Sequence, residues 1–222
     1  MNERSFFLLR RYDRATARSS RKVIWRRALS ALQHEPRGRG KIVATARHLF
    51  AVQGFHQTPM SELATVSGVS VGQIYRFFTG KSELIRAIIR EDASAKIADM
   101  AAITSELNAG RISLENVLIQ MCMQALTVGD EALSFDILAE GHRDVNVAMT
   151  IAEVCTASRS MISGLALAAN PAITQDQLEG AEEMILALMF GLGHRTLSRP
   201  GLSKEKSAKS TADMILAALR SL

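Results

Sequence analysis

The run IVATARHLFAVQGFHQTPMSELATVSGVSVGQIYRFFTGKSEL, residues 42–84, decides the fold of this 222-residue chain. Ile42, Ala46, Leu49 and Phe50 recur at i, i+4, i+7 and i+8, one face of a helix that closes near Gly54. Thr58 followed by Pro59 predicts an N-cap and a proline in the first helical position. A short helix with Leu63, Ala64 and Val66 then closes at Ser67-Gly68, where glycine suits the left-handed residue that ends a helix. Ser70 with Gln73 three residues on is a capping box, and it opens a third helix through Phe78. Thr79-Gly80 breaks that helix, and Lys81 opens a longer one carrying Leu84, Ile85, Ile88 and Ile89. Two short helices around a glycine-containing turn, with basic residues about them, form a helix-turn-helix signature. Ile42, Ala46, Leu49, Phe50, Leu63, Ala64, Val69, Ile74 and Phe78 are its expected core.

Outward from this run the charge is uneven. The whole chain carries +5, with a pI near 9.6. Residues 1–36 hold nine Lys/Arg against three acids, net +6, and residues 37–86 hold seven against two, net +5. The rest holds eleven against seventeen, net −6. A basic front on a mildly acidic body suits a nucleic-acid reader joined to a second module. The expected organisation is a basic N-terminal extension over 1–36, a helix-turn-helix domain over 37–86 and a helical effector-binding and dimerisation domain over 87–222. An apolar fraction of 47% excludes a disordered chain, and no apolar run reaches the length of a membrane span. Cys122 and Cys155 show no CxxC spacing, which excludes a zinc ribbon or disulfide scaffold. These features predict a cytoplasmic protein without membrane contact.

Beyond residue 86 the pattern is all-α, with turn signals at 108–110, Gly141, Asn170-Pro171 and 199–201 and no alternating strand pattern. Leu178, Ala181, Ile185, Leu188 and Leu192 step by 3 and 4 in alternation, and so do Ala208, Ala212, Ile215, Leu219 and Leu222. Each seam opens on a cap, Thr174 (with Gln177 three on) and Ser203. Two such helices, paired and met by a second copy, predict a four-helix bundle between protomers. Its interface is expected at Leu178, Ala181, Ile185, Leu188, Leu192, Ala212, Ile215 and Leu219.

The run 42–84 closely resembles the DNA-binding domain of TetR-family transcriptional regulators. It shows the apolar-Ala-x-x-Leu-Phe first helix, then Gly, Thr, apolar-Ala, Gly-Val-Ser, x-Gly, Tyr, Phe and Lys in register. The C-terminal part resembles that family only in being helical and ending in a dimer-like pair. The resemblance implies that Thr58, Ser70 and Tyr75 meet phosphates, that Gly72 lets the backbone come close, and that Lys81 grips phosphate. It places Val71, Gln73 and Arg76 at base edges: Val71 on a thymine methyl, Gln73 bidentate on adenine, Arg76 on guanine or phosphate. Phe77 stands where His or Tyr is frequent in the family, replacing a phosphate bond with an apolar contact. Lys81 at a helix N-terminus opposes the macrodipole, which suggests that its charge serves something else there.

The implied function is a homodimeric repressor that binds double-stranded DNA at a palindromic operator and is released by a small-molecule effector. Met121, Met123, Phe135, Leu138, His142, Met149 and Met161 are the expected pocket lining, since flexible Met side chains suit an adaptable site. No Gly-rich phosphate loop, GxSxG elbow or HExxH occurs, and the five histidines are never four residues apart. The expectation is therefore no enzyme, no cofactor, no metal and no catalytic residue. Two alternatives stand beside it. One is a helical adaptor acting through protein contacts, for which Val71 and Phe77 leave room. The other is a small metal-binding protein or enzyme built on His142 with Asp144, or on His194.

Overall fold

The computed structural model describes residues 37–127 and 129–222. The chain divides into two compact units, 1–42 and 43–222. The expected basic extension over 1–36 lies outside the described residues. Nine α-helices occur among those described: α1 (Arg37–Gln53), α2 (Met60–Ser67), α3 (Val71–Phe77), α4 (Lys81–Asn108), α5 (Leu114–Leu126), α6 (Glu131–Gly141), α7 (Val145–Ala169), α8 (Gln175–Gly193) and α9 (Lys204–Ser221). A short 3-10 turn, Arg195–Ser198, joins α8 to α9. The described residues contain no strand.

Local chemistry explains most of the boundaries. Ser70, Ser113, Asp130, Asp144, Thr174 and Ser203 each accept a backbone N–H from the first turn of the helix that follows. Such a cap contributes about 0.5–2 kcal/mol. Both predicted capping boxes close, Ser70 with Gln73 and Thr174 with Gln177. Gly68 ends α2 at φ 67°, where a Cβ would be strained. Thr58 departs from expectation: the N-cap of α2 is Pro59, without a side-chain bond. The Thr58 hydroxyl turns back and donates to the Gly54 carbonyl at 2.9 Å, closing α1 rather than opening α2.

α5 is the hub of the C-terminal bundle. It packs most extensively on α9 and also on α8, α4 and α7. Val117, Leu118, Met121, Cys122 and Leu126 bring its apolar stripe against Met100 of α4, Ile162, Leu165 and Ala166 of α7, Ala181 and Ile185 of α8, and Ala208, Ala212, Ile215, Leu216 and Leu219 of α9. Burying one Leu or Ile here contributes about 1.5–3 kcal/mol. Cys122 is part of this packing; burial pushes its thiol up to about 11, so it acts as a small hydrophobe.

The residues expected at the dimer interface are largely covered within a single chain. Ala181, Ile185, Ala212, Ile215 and Leu219 are buried inside one protomer, and Leu178 and Leu192 pack partly against the same core. Leu188 alone of the eight is exposed. Heptad spacing reports that a face is covered, not what covers it, and the apolar face of α5 covers these two. The helices α8 and α9 lean on α5 and α7 rather than chiefly on each other. The boundary expected between residues 86 and 87 falls inside α4, which runs 28 residues without a break.

Leu118, fully buried at the centre of this packing, supplies the test of α5 as hub. Leu118→Ala should lower unfolding stability by about 2–5 kcal/mol in a denaturant titration. A loss below about 1 kcal/mol would place the centre of the core elsewhere.

Candidate nucleic-acid interface

The interface begins with how α3 is held, because seven residues cannot form a stable helix alone. Ile74 and Phe78 are buried and fix its rotation about its axis. Ser70 Oγ accepts from Gln73 N at 3.1 Å and Gln73 Oε1 accepts from Ser70 N at 2.9 Å, which fixes its start. Phe78 N donates to Ile74 O at its end. Beyond it, the Thr79 amide and hydroxyl both donate to Glu83 Oε2 and tie the turn to α4.

With Ile74 facing inward, Val71, Gly72, Gln73, Tyr75 and Arg76 are exposed. Gly72 and Arg76 lie one turn apart on the side opposite Ile74, with Gln73 and Tyr75 flanking them. Among the described residues the Arg76 guanidinium and Tyr75 hydroxyl carry no hydrogen bond, so both stand open to an external partner. Phe77 is half-buried and tilts against Phe78, with ring centroids 6.5 Å apart.

Two of the expected phosphate contacts, Thr58 before α2 and Lys81 after α3, are engaged internally. Thr58 is buried at 1% exposure, and its Oγ1 also accepts from Gln53 Nε2 at 3.2 Å. Gln53 Nε2 donates to Glu62 Oε2 at 2.8 Å as well, joining the end of α1 to α2. Lys81 Nζ donates to the carbonyls of Phe55 at 2.9 Å and His56 at 3.2 Å, and it sits 5.0 Å from the centre of the Phe55 ring. That explains a cation at a helix N-terminus: its charge gathers the carbonyls of the α1–α2 loop. An ammonium has three donors, so one remains for an anion.

The same loop is gripped from its other side by α6. Phe55 N donates to Asp136 Oδ2 at 2.9 Å, and His56 Nε2 lies 2.9 Å from Glu140 Oε1. Glu140 is 6% exposed and also accepts from Arg143 Nη1 at 2.9 Å. Around this latch α4 and α7 are joined by polar contacts: Arg86 Nε donates to the buried Thr150 Oγ1 at 3.1 Å, and Arg90 reaches Thr150 and Glu153. The Ser82 hydroxyl and the amides at the start of α7 hold the Asp144 carboxyl below the usual carboxylate range. Phe55, His56, Asp136 and Glu140 escape a reading of the sequence. They sit 81 and 84 residues apart in pairs, and nothing local marks a carboxylate as buried.

The expected pocket residues are spread over three helices. Met121 belongs to the core; Met123 and Met161 are partly buried against it. Leu138 is half-buried, and His142 and Met149 are exposed. Phe135 stacks on His194 with centroids 4.6 Å apart, and His194 also bonds Ser134 Oγ and Phe190 O, each at 2.9 Å. An open groove between α4 and α5 is lined by Asp99, Ala102, Ile103, Gln120, Met123 and Gln124. Met123 is the one expected lining residue found there. His142 and Asp144 serve as helix caps for α6 and α7, and no group of three metal-ligating side chains occurs among the described residues.

Comparison with known proteins agrees with this geometry. Residues 42–88 match the family of bacterial regulatory proteins described as the tetR family. The HTH-type transcriptional regulator UidR of Escherichia coli K12 is 30% identical over 110 residues, covering 50% of this chain and 55% of UidR. The chain thus spans about half the length of the curated relatives it matches. Salmonella enterica GusR superposes with a TM-score of 0.63 at 25% identity, over 83% of this chain and 98% of that one. FadR from Bacillus subtilis, solved in complex with stearoyl-CoA, gives 0.67 at 16% identity over 81% and 98%. No helix among the described residues is long and apolar enough to cross a membrane. The matched domain is similar to that of the tetR family of bacterial regulatory proteins, and the helical architecture around it is similar to that of the solved regulators.

Proposed function

We propose that the protein is a DNA-binding transcriptional regulator, a homodimeric repressor that leaves a palindromic operator when a small molecule binds its C-terminal helices. The observation that carries this reading is the outer face of α3, where Arg76, Tyr75, Gln73 and Gly72 are exposed together on a helix whose ends and inner side are fully engaged. A duplex needs such a face: a short, rigid helix, a glycine for close approach and donors for base edges and phosphate. Val71 adds an apolar contact for a thymine methyl, Ser70 and Thr58 bring the flanking backbone near phosphate, and Lys81 offers its third donor. Half-buried Phe77 supports the helix from its side.

A palindrome requires two copies. With the predicted seam consumed inside the protomer, the surface that supports dimerisation is the opposite side of α8 and α9. Gly180, Met184, Leu188 and Gly191 line up along α8 and are exposed, and Met214 is exposed on α9. The absence of neighbours around a Cβ at Gly180 or Gly191 leaves room for another helix to approach. Effector response rests on the latch between α6 and the α1–α2 loop. A molecule that displaces α6 would change the support of the helix-turn-helix, and the coupling must be reciprocal between effector and DNA. FadR, with its stearoyl-CoA, is a regulator of like fold with a small molecule bound.

Titrating the protein with the DNA upstream of its own coding sequence tests the main reading. Arg76→Ala should weaken the specific complex by about 1–3 kcal/mol and relax base preference at one position per half-site. Absence of binding to any duplex at low salt would overturn the reading in favour of an adaptor that works through protein contacts.

Met184→Glu should convert the dimer to a folded monomer in sedimentation, with operator affinity reduced on the order of a hundredfold or more, because both half-sites must be held at once. An unchanged dimer would move the interface off α8.

For the latch, Asp136→Ala should speed amide hydrogen exchange at Phe55 and His56 while leaving the C-terminal core protected. Unchanged exchange there would show that Lys81 and the His56–Glu140 contact hold the loop without Asp136.

A further inference from the structure

Residues 37–86 carry two acids, Glu62 and Glu83, against seven bases. Each is the third residue of its helix, α2 and α4, a position where the helix dipole favours a carboxylate. On the DNA-binding reading these helix starts also lie where phosphates approach, beside Thr58 and Lys81, and there a carboxylate repels. Both carboxylates are tied back by neutral donors. Glu83 Oε2 accepts from the Thr79 amide at 2.6 Å and from its hydroxyl at 2.9 Å. Glu62 lacks the usual local donor. An acid at this position ordinarily accepts from the N-cap amide, and here the N-cap is Pro59, which has no N–H. Its Oε2 accepts instead from Gln53 Nε2 at 2.8 Å, at the end of α1. The same amino group donates to Thr58 Oγ1 at 3.2 Å, and the Thr58 hydroxyl donates to the Gly54 carbonyl at 2.9 Å.

We infer that Gln53 is a positioning residue for DNA binding, which holds the Glu62 carboxylate against the end of α1 and out of the approach of the phosphate that nears Thr58. The inference rests on the DNA-binding reading of α3. A bond from a neutral amide leaves the charge of Glu62 in place but fixes where it sits. Gln53 has two amino hydrogens and two acceptors, so neither hydrogen is left over. Thr58 secures the other end of the strut: it is 1% exposed with its hydroxyl engaged, so its side chain serves the strut rather than a phosphate. Both Gln53 and Glu62 are half-buried. Without the Gln53 donor, the Glu62 side chain is free to take outward rotamers, and its charge moves toward the phosphates.

Affinity of the full chain for a random-sequence duplex, measured from about 50 to about 300 mM salt, tests this with Gln53→Met, Glu62→Gln and the double variant. Gln53→Met should bind about fivefold more weakly at the low-salt end, and the deficit should fade as salt screens the freed charge. Adding Glu62→Gln should restore wild-type affinity, because the released side chain no longer carries a charge. Glu62→Gln alone should bind as tightly as the wild type or more tightly. A deficit that persists at every salt concentration, or that the second substitution leaves unrelieved, would overturn the inference and assign Gln53 to the stability of the α1–α2 junction. Wild-type affinity in Gln53→Met would overturn it too. Gln53→Asn, whose amide stops one methylene short of Glu62, gives the same comparison in a polar side chain should the methionine variant fail to fold. If the wild type binds no duplex, the DNA-binding reading fails first, an outcome seen without any variant.

Discussion

The shortness of α3 governs much of what surrounds it. Two turns of helix do not hold themselves together in water, so every aspect of this element is imposed from outside. Its start is set by the Ser70–Gln73 box, its rotation by Ile74 and Phe78, and its exit by the Thr79–Glu83 bonds. The helix before it is stopped by a glycine that alone tolerates the left-handed backbone at that turn. Apart from the Gln73 side chain in the capping box, the outer face of α3 stays clear among the described residues.

That clearance is the part of the molecule most legible in the sequence. Caps, a left-handed glycine and apolar spacing act over three to eight residues, and their chemistry is local. Where a residue's partner lay far along the chain, the reading faltered. Thr58 is a local exception: it carries the composition of a cap, yet the Gly54 carbonyl only four residues before it competes for its hydroxyl and wins. The break between α5 and α6 passed unread although Gly129 follows shortly after Thr127 and Asp130 caps the second of them. Ala181, Ile185, Ala212, Ile215 and Leu219 announced a buried face correctly, but the identity of the covering surface belonged to α5. No periodicity can name a partner. The carboxylate of Glu140 is the sharpest instance, since its partner His56 lies 84 residues away.

The electrostatic reading changed in the same way. Lys81 invites assignment to a phosphate, and its position against the helix dipole invites a reason. The structure supplies one inside the protein, in two carbonyls and an aromatic face. A cation already surrounded by oxygens and a ring is also held in place, so an approaching anion would meet an oriented charge rather than a wandering one. Internal and external roles for that residue are compatible for this reason.

Length gives α4 a property of its own. Its 28 residues begin beside the α1–α2 loop and end at Asn108, a span of about 40 Å at 1.5 Å per residue. A stiff rod of that span works as a lever. A tilt of about five degrees pivoted at one end carries the other through about 3.5 Å, close to the roughly 3.4 Å rise between successive base pairs. On the DNA-binding reading proposed above, a small tilt near Met100 would therefore be large enough, at the far end, to put α3 out of step with the bases of a duplex.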